Sequence, residues 1–374
     1  MTKSDEFFMA RAIRLARRGK GLTSPNPMVG AVVVADAKVV GEGYHPGAGQ
    51  PHAEVLALKH AGEAARGATL YVTLEPCCHF GRTPPCTGRI IEAGVKRVVA
   101  AVVDPDPRVS GKGADELRVA GIQVEFGALQ EQAAELIEPH LKYVRTGLPL
   151  VTVKLAMSLD GRIATRTRQT RWITGEKARR FAHSLRAEAD AVIVGVGTAM
   201  IDDPLLTARL VRAKRQPRRV VVDTAARMQP TARMLQQGNG PVMVATTEQA
   251  PKESVERLRA AGAEIIVLPE KDGRVDLRAL LKELGERDVR SVLVEGGAAL
   301  AGSMLDDRLV DRVVFVMAPL LIGGARATSA LGGKGADDIG DAVRLADVRV
   351  RRIGEDLVVQ GYLPGEWRTN AALG

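Results

Sequence analysis

At 374 residues, with 45% hydrophobic but only 3% aromatic residues, the chain is long enough for two domains whose cores rest on Ala, Val, Leu and Ile. Its net charge of +9 is spread along the chain without interleaved aromatics, which argues against a nucleic-acid stacking surface. The 35 Lys and Arg against 28 Asp and Glu in residues 148–374 suit phosphorylated small molecules equally well. No apolar run reaches membrane-spanning length, and three cysteines confined to positions 77–86 argue for a metal site in a reducing, cytoplasmic setting rather than a disulfide framework.

Helical spacing begins at Phe7–Arg18, a basic amphipathic stretch read as a first helix rather than a transit peptide, because Asp5 and Glu6 precede it. Met28–Val34 and Lys38–Gly43 form a hairpin around Asp36-Ala37. Helices follow at Ala53–Ala65, Thr87–Ala93, Gly113–Ala120 and Gln130–Tyr143, with strands at Thr69–Leu74, Arg97–Val103 and Gln123–Gly127 between them. Strands separated by helices predict a three-layer α/β/α sandwich. The turn Arg145-Thr146-Gly147 before Pro149 marks a boundary, giving domains 1–146 and 147–366.

The second half is again α/β. Strands are expected at Leu150–Ala156, Ala191–Gly195, Val220–Val222, Pro241–Ala245, Ala263–Leu268, Ser291–Glu295 and Arg312–Met317, and helices at Ala178–Ala189, Glu253–Ala261, Leu277–Gly285 and Ala298–Asp306. Val348–Ile353 and Asp356–Tyr362 read as a terminal antiparallel pair. The run Arg212–Arg219 reads as a solvated loop, and residues 367–374 as a frayed end. Gly195-Val196-Gly197-Thr198 and Glu295-Gly296-Gly297 each follow a strand; they are either tight turns or backbone cradles for phosphate. Neither is a complete dinucleotide fingerprint.

Chemistry concentrates in His52-Ala53-Glu54 and in Pro76-Cys77-Cys78-His79-Phe80-Gly81-Arg82-Thr83-Pro84-Pro85-Cys86. One imidazole and two thiolates are three ligands for a tetrahedral zinc with the fourth position open to water. Glu54 is placed to shuttle that water's protons, so the set is that of a zinc hydrolytic deaminase. A helix N-terminus at Cys77 is expected to favour its thiolate. Cys78 is adjacent to Cys77, and neighbours rarely both reach one ion; Cys77 and Cys86 are therefore the assigned ligands. A closed structural zinc, with Cys78 or His79 as fourth ligand, stays open as the alternative.

Ser24-Pro25-Asn26-Pro27-Met28-Val29-Gly30, Pro51-His52-Ala53-Glu54, Glu75-Pro76-Cys77 with the long spacing to Cys86, and Asp104-Pro105-Asp106-Pro107 with Gly111-Lys112-Gly113 resemble the bifunctional deaminase–reductases of riboflavin biosynthesis. The resemblance runs to about residue 364, through Lys154–Arg162, Trp172-Ile173-Thr174, Asp202–Thr207 and Val294–Gly297. That family usually has Ser at the position of Cys78 and often at that of Thr170. The resemblance implies an α/β chain: an N-terminal cytidine-deaminase-like three-layer α/β/α sandwich and a C-terminal dihydrofolate-reductase-like α/β domain. It implies zinc and NADPH as cofactors. The implied substrate is a phosphorylated diaminopyrimidinone, deaminated at its 2-amino group and then reduced from ribosyl to ribityl.

Carried over by position, Asn26 would hold the substrate beside the metal; a turn asparagine is the alternative. His79, Gly81 and Arg82 would hold the pyrimidine or its phosphate, or are surface-loop residues. Ala156, Trp172, Thr198, Asp202, Thr224 and the stretch Gly297, Ala298, Ala299, Leu300, Ala301, Gly302 and Ser303 would contact NADPH, with Trp172 alternatively a core residue. Thr170, Arg186, Leu206, Arg209 and Glu295 would contact substrate, the two arginines through forked donors to a phosphate. Lys154, Asp202 and Glu295 are candidates for proton handling. The expected enzyme is a cytoplasmic homo-oligomer acting on a small molecule, without nucleic-acid or membrane partners. Two rivals remain at this point: a nucleic-acid base deaminase with a C-terminal binding module, which would ignore NADPH, and a non-catalytic zinc-stabilised protein, indifferent to Glu54→Gln.

Overall fold

The computed structural model describes residues 1–81, 83–237 and 240–368, and divides at Gly147/Leu148 into two compact units. The first contains α1 (Lys3–Ala16), β1 (Gly30–Ala35), β2 (Lys38–Tyr44), α2 (Ala53–Ala61), β3 (Thr69–Val72), α3 (Cys86–Glu92), β4 (Arg97–Ala100), α4 (Lys112–Val119), β5 (Gln123–Phe126) and α5 (Gln130–Thr146). Its sheet runs β2-β1-β3-β4-β5, with β1 antiparallel to both neighbours and β3, β4 and β5 parallel.

Strand alternation builds the layers. Ala31, Val33, Leu70, Val72, Val98 and Ala100 join Ala53, Ala57, Ile90, Ala114 and Leu117 of α2, α3 and α4 in one core. On the opposite face α1 lies against β1, β2 and β3, with Phe8 on Tyr71 at 5.3 Å. The expected three-layer sandwich is therefore present. α1 begins four residues before the apolar periodicity at Phe7, because Thr2 and Asp5 form a reciprocal capping box. Buried Asp5 also takes the Tyr71 hydroxyl and two nitrogens of Arg97, tying α1 to β3 and β4. Where α2 meets β2, glycines are required: a Cβ on Gly43 would lie 2.3 Å from the Ala53 carbonyl oxygen.

The second unit contains β6 (Leu150–Ser158), β7 (Arg162–Ala164), α6 (Glu176–Glu188), β8 (Ala191–Gly195), α7 (Val196–Asp202), β9 (Arg218–Val222), α8 (Arg233–Gln236), β10 (Val242–Thr246), α9 (Lys252–Ala260), β11 (Glu264–Val267), β12 (Glu270–Lys271), β13 (Arg274–Val275), α10 (Leu277–Glu286), β14 (Ser291–Glu295), α11 (Ala298–Asp306), β15 (Arg312–Ala318), β16 (Thr328–Ser329), β17 (Ala346–Ile353) and β18 (Asp356–Tyr362). Nine strands form one sheet in the order β11-β10-β9-β8-β14-β6-β15-β18-β17. The first seven are parallel, and their aliphatic side chains feed cores on both faces, which is why these strands are rich in Val, Ile and Leu. β14 returns between β8 and β6. Strand order thus reverses there, and ligands bind beyond the carboxyl ends of such a reversal.

Three expectations are corrected. Arg218 and Arg219 are not loop residues but open β9, and Arg219 is buried, donating to the backbone carbonyls of Met234 and Gly240. Trp172 is not core: it is 69% exposed, with the Arg179 guanidinium 4.5 Å from its ring centre. Trp367 does not fray; it is buried in the first unit, where Lys142 covers its ring and Arg145 donates to its carbonyl. Residues 369–374 of the expected frayed end lie outside the described residues.

Candidate active sites

In the first unit three ends of secondary structure converge. His52 is the N-cap of α2, Cys77 follows β3, and Cys86 opens α3. The N–H groups of Cys86 and Thr87 both donate to the Cys77 carbonyl, at 2.9 and 3.2 Å, and close the 77–86 loop. His52 Nδ1 then lies 3.2 Å from Cys86 Sγ and 3.6 Å from Cys77 Sγ. Ordinary zinc–nitrogen and zinc–sulfur bond lengths at tetrahedral angles put those edges at about 3.6 Å. The donor set is spaced for the ion, and among the described residues it is the only such group of three. Cys78 points elsewhere, its Sγ 3.7 Å from the Arg108 carbonyl. Among the described residues no fourth His, Cys, Asp or Glu joins these three, a donor set with room for water as the fourth ligand.

The expected helix start at Cys77 is corrected: the helix opens at Cys86. The Cys77 thiolate is favoured instead by the hydrogen bond from Cys86 and by His52, which together hold it far below the ordinary thiol range against the cost of burial. Cys86 is pushed the other way, upwards, by Cys77 and by burial. His52 is pushed up, chiefly by Cys77. Glu54 lies in the first turn of α2, buried, with Oε2 lacking any hydrogen-bond partner. Burial raises its pKa. An acid with one free oxygen, held beside the donor cluster, is ready to exchange a proton.

Two supports were not legible in the sequence. Asn26 Nδ2 donates to His45 Nε2 at 3.1 Å, while His45 Nδ1 lies 3.3 Å from the Pro51 carbonyl. This pairing puts the proton on Nδ1 and leaves the Asn26 carbonyl oxygen free of His45. The His45 ring stands edge-on to His52 at 5.2 Å. Glu75, also buried, accepts from the N–H groups of Asp104, Gly111 and Ala114 at 3.0–3.1 Å. It ties the loop after β4 to the turn that carries Cys77. A Cβ on Gly113 would lie 2.1 Å from the Pro76 carbonyl, which explains the glycine in Gly111-Lys112-Gly113. His79 has a buried Nδ1 without a partner; Arg82 lies outside the described residues.

In the second unit the candidates cluster at the carboxyl ends of β6, β8 and β14. Arg186 on α6 grips Glu295 at the end of β14 with Nε and Nη2, both at 2.7 Å, and gives Nη1 to the Thr207 carbonyl. Its fork thus meets a carboxylate of the protein itself. Lys154 is the cross-strand neighbour of Glu295. Burial pushes Glu295 up, but Arg186 and then Lys154 outweigh it and bring it down to about 2. Burial lowers Lys154, against the pull of Glu295. His183, on the same helix as Arg186, accepts the Arg209 N–H at 3.1 Å; burial, Arg186 and Arg209 lower it to about 4.

Nearby, Thr170 donates to Asp202 at 2.7 Å. Gly296 and Gly297 turn with φ of 69° and 80° into α11, where any Cβ would press on Thr198 at 3.1–3.2 Å. That backbone cradle at a helix N-terminus fits a dinucleotide phosphate. Ala156 lies on β6, and Thr224, just past β9, accepts the Val275 N–H. Leu206, Leu300 and Ala301 bury their side chains in the core, so only their backbone is available to a ligand.

Comparison with known proteins places each half of the chain in a family. A family model described as the cytidine and deoxycytidylate deaminase zinc-binding region matches residues 2–102, and one described as the RibD C-terminal domain matches residues 149–359. The chain is 44% identical to the riboflavin biosynthesis protein RibD of Aquifex aeolicus over 95% of its own length and 97% of that protein's. To RibD of Escherichia coli K12 it is 43% identical, covering 94% and 98%. Its fold is similar to Acinetobacter baumannii RibD, with TM-score 0.87, 39% identity and coverage of 97% and 99%. It is also similar to a diaminohydroxyphosphoribosylaminopyrimidine deaminase/5-amino-6-(5-phosphoribosylamino)uracil reductase of Thermotoga maritima, with TM-score 0.85, 37% identity and coverage of 96% and 99%.

Proposed function

The chain belongs to the RibD family of bifunctional riboflavin-biosynthesis enzymes, a zinc deaminase joined to an NADPH-dependent reductase, and on that premise we propose its substrates and the residues that serve each step. Residues 1–146 exchange the 2-amino group of 2,5-diamino-6-(5-phosphoribosylamino)pyrimidin-4(3H)-one for oxygen. Residues 147–366 reduce the resulting uracil to 5-amino-6-(5-phosphoribitylamino)uracil. The second half is thus a reductase domain and not a nucleic-acid binding module.

His52, Cys77 and Cys86 would hold the zinc, which when bound would act as a Lewis acid and acidify water towards neutral pH. Glu54 takes one proton of the attacking water at its unpartnered Oε2 and delivers it to the ring nitrogen, then moves the water's second proton to the amino group, which leaves as ammonia while the oxygen stays on the ring. Asn26, its amide oriented by His45, accepts from a substrate N–H. The observation that carries this reading is the buried, unpaired Glu54 oxygen beside three donors already at tetrahedral spacing.

Ala156, Trp172, Thr198, Asp202, Thr224 and the turn from Gly297 to Ser303 would hold NADPH, which when bound would supply a hydride for C1 of the sugar. Thr170, Leu206 and Arg209 position the substrate, Arg209 facing its phosphate. Lys154 holds a proton beside Glu295 and hands it to the reduced sugar, while Arg186 keeps Glu295 ionised. Cytoplasm suits the free thiols of Cys77 and Cys86. A homo-oligomer suits β17, an outer strand exposed from Ala346 to Arg352.

The test is incubation of pure protein with the diamino substrate. Ammonia is expected without NADPH, and NADPH oxidation only once deaminated product is present. Zinc chelation should stop the first step and spare reduction of supplied product. Equal loss of both steps in a folded protein refutes this division of labour.

A further inference from the structure

We propose that Thr83 is a positioning residue for the deaminase: its hydroxyl accepts the Nε2–H of His52 and so keeps the Nδ1 lone pair aimed at the two cysteine sulfurs. The inference rests on the reading of His52, Cys77 and Cys86 as the metal site. Thr83 Oγ1 lies 3.1 Å from His52 Nε2, on the side of the ring away from the sulfurs, while Nδ1 faces Cys86 at 3.2 Å and Cys77 at 3.6 Å. A neutral imidazole carries one proton, and the nitrogen that binds a metal must be the bare one. The hydroxyl can accept the Nε2–H of the tautomer that the site needs, and in doing so it fixes the plane of the ring. Metal-bound histidines commonly direct their other N–H at a carboxylate, a carbonyl or water. Here the threonine hydroxyl stands in that place.

The same contact gives a reason for the long cysteine spacing. The short deaminase pattern has two residues between its cysteines, whereas here eight residues separate Cys77 from Cys86. The ends of the loop are pinned together by the Cys86 and Thr87 N–H bonds to the Cys77 carbonyl. Within the loop the Gly81 N–H donates to the Thr83 carbonyl at 3.2 Å, and the half-buried Thr83 side chain reaches the far edge of His52. The insertion supplies the histidine's outer partner.

The experiment compares Thr83→Val, Thr83→Ala and Thr83→Ser in the full chain, with His52→Ala as reference. Zinc affinity is read by competition with a chromogenic chelator, and turnover of supplied product by the reductase checks folding. Removing the hydroxyl, as Val or Ala, should weaken zinc binding by roughly 10–100-fold, while Ser restores it. The proposal is overturned if Val and Ala bind zinc like the parent, or if Ser falls as far as they do. If His52→Ala itself holds zinc normally, the metal-site reading fails and this inference falls with it.

Discussion

Gly43→Ala tests whether the architecture of the first unit truly sets the metal site. A methyl there would lie 2.3 Å from the Ala53 carbonyl oxygen and 2.7 Å from the Ala57 nitrogen, where ordinary contact begins near 3.4 Å. Both are backbone atoms of α2, so no side chain can swing aside, and the helix start must withdraw by about 1 Å. That turn carries His52 and Glu54 on either side of Ala53. Overpacking of this kind costs about 1–3 kcal/mol. Alanine's smaller unfolded-state entropy returns about 0.4–1 kcal/mol, so the variant should be less stable by on the order of 1–2 kcal/mol. A 1 Å misplacement of reacting groups is enough for roughly 10²-fold in rate. The assay is ammonia release by zinc-loaded protein, beside urea unfolding and turnover of supplied product by the reductase. Gly88→Ala, on α3 with open space around it, is the control and should be neutral or slightly stabilising. If Gly43→Ala deaminates and unfolds like the parent, α2 is not held in place by its contact with β2.

Arg186→Ala leaves the buried Glu295 carboxylate without its partner and should cost about 3–5 kcal/mol in urea unfolding; a loss near zero would show that Lys154 alone compensates it. His183 is lowered to about 4, by burial first and then Arg186 and Arg209, so between pH ~6.5 and 4 the unfolded chain binds one proton more than the folded one. Its contribution is therefore complete above that window and declines as pH falls through it. His183→Gln should flatten the dependence of the urea midpoint there, and an unchanged slope contradicts the assignment. Trp172→Ala should change stability by less than about 0.5 kcal/mol, because the ring is exposed, while raising the KM for NADPH. Marked destabilisation with an unchanged KM would make it a structural residue.

The metal cluster was legible because each ligand sits in a short motif at the end of a regular element. His52 and Glu54 share one helical turn, and Cys77 and Cys86 share one loop. The aliphatic runs likewise announced the parallel strands of the second unit. What escaped depends on partners distant in sequence. Glu75 acts through backbone N–H groups at 104, 111 and 114, and His45 through an amide at 26 and a carbonyl at 51. Neither pairing leaves a local pattern. Arg219 looked solvated because it ends a charged run, yet it is buried in the sheet, its two terminal nitrogens donating to backbone carbonyls. α1 began early because its first turn, Lys3 to Glu6, is polar and capped rather than apolar. α7, seven residues long, is too short to show a helical period.

The most direct measurement is ammonia release from the diamino substrate by Glu54→Gln with its zinc content determined alongside. Zinc should stay at one ion per chain, deamination should fall by roughly 10²–10⁴-fold, and reduction of supplied product should be untouched. Deamination at the parent rate, in a variant that holds its zinc, would contradict the role given to Glu54.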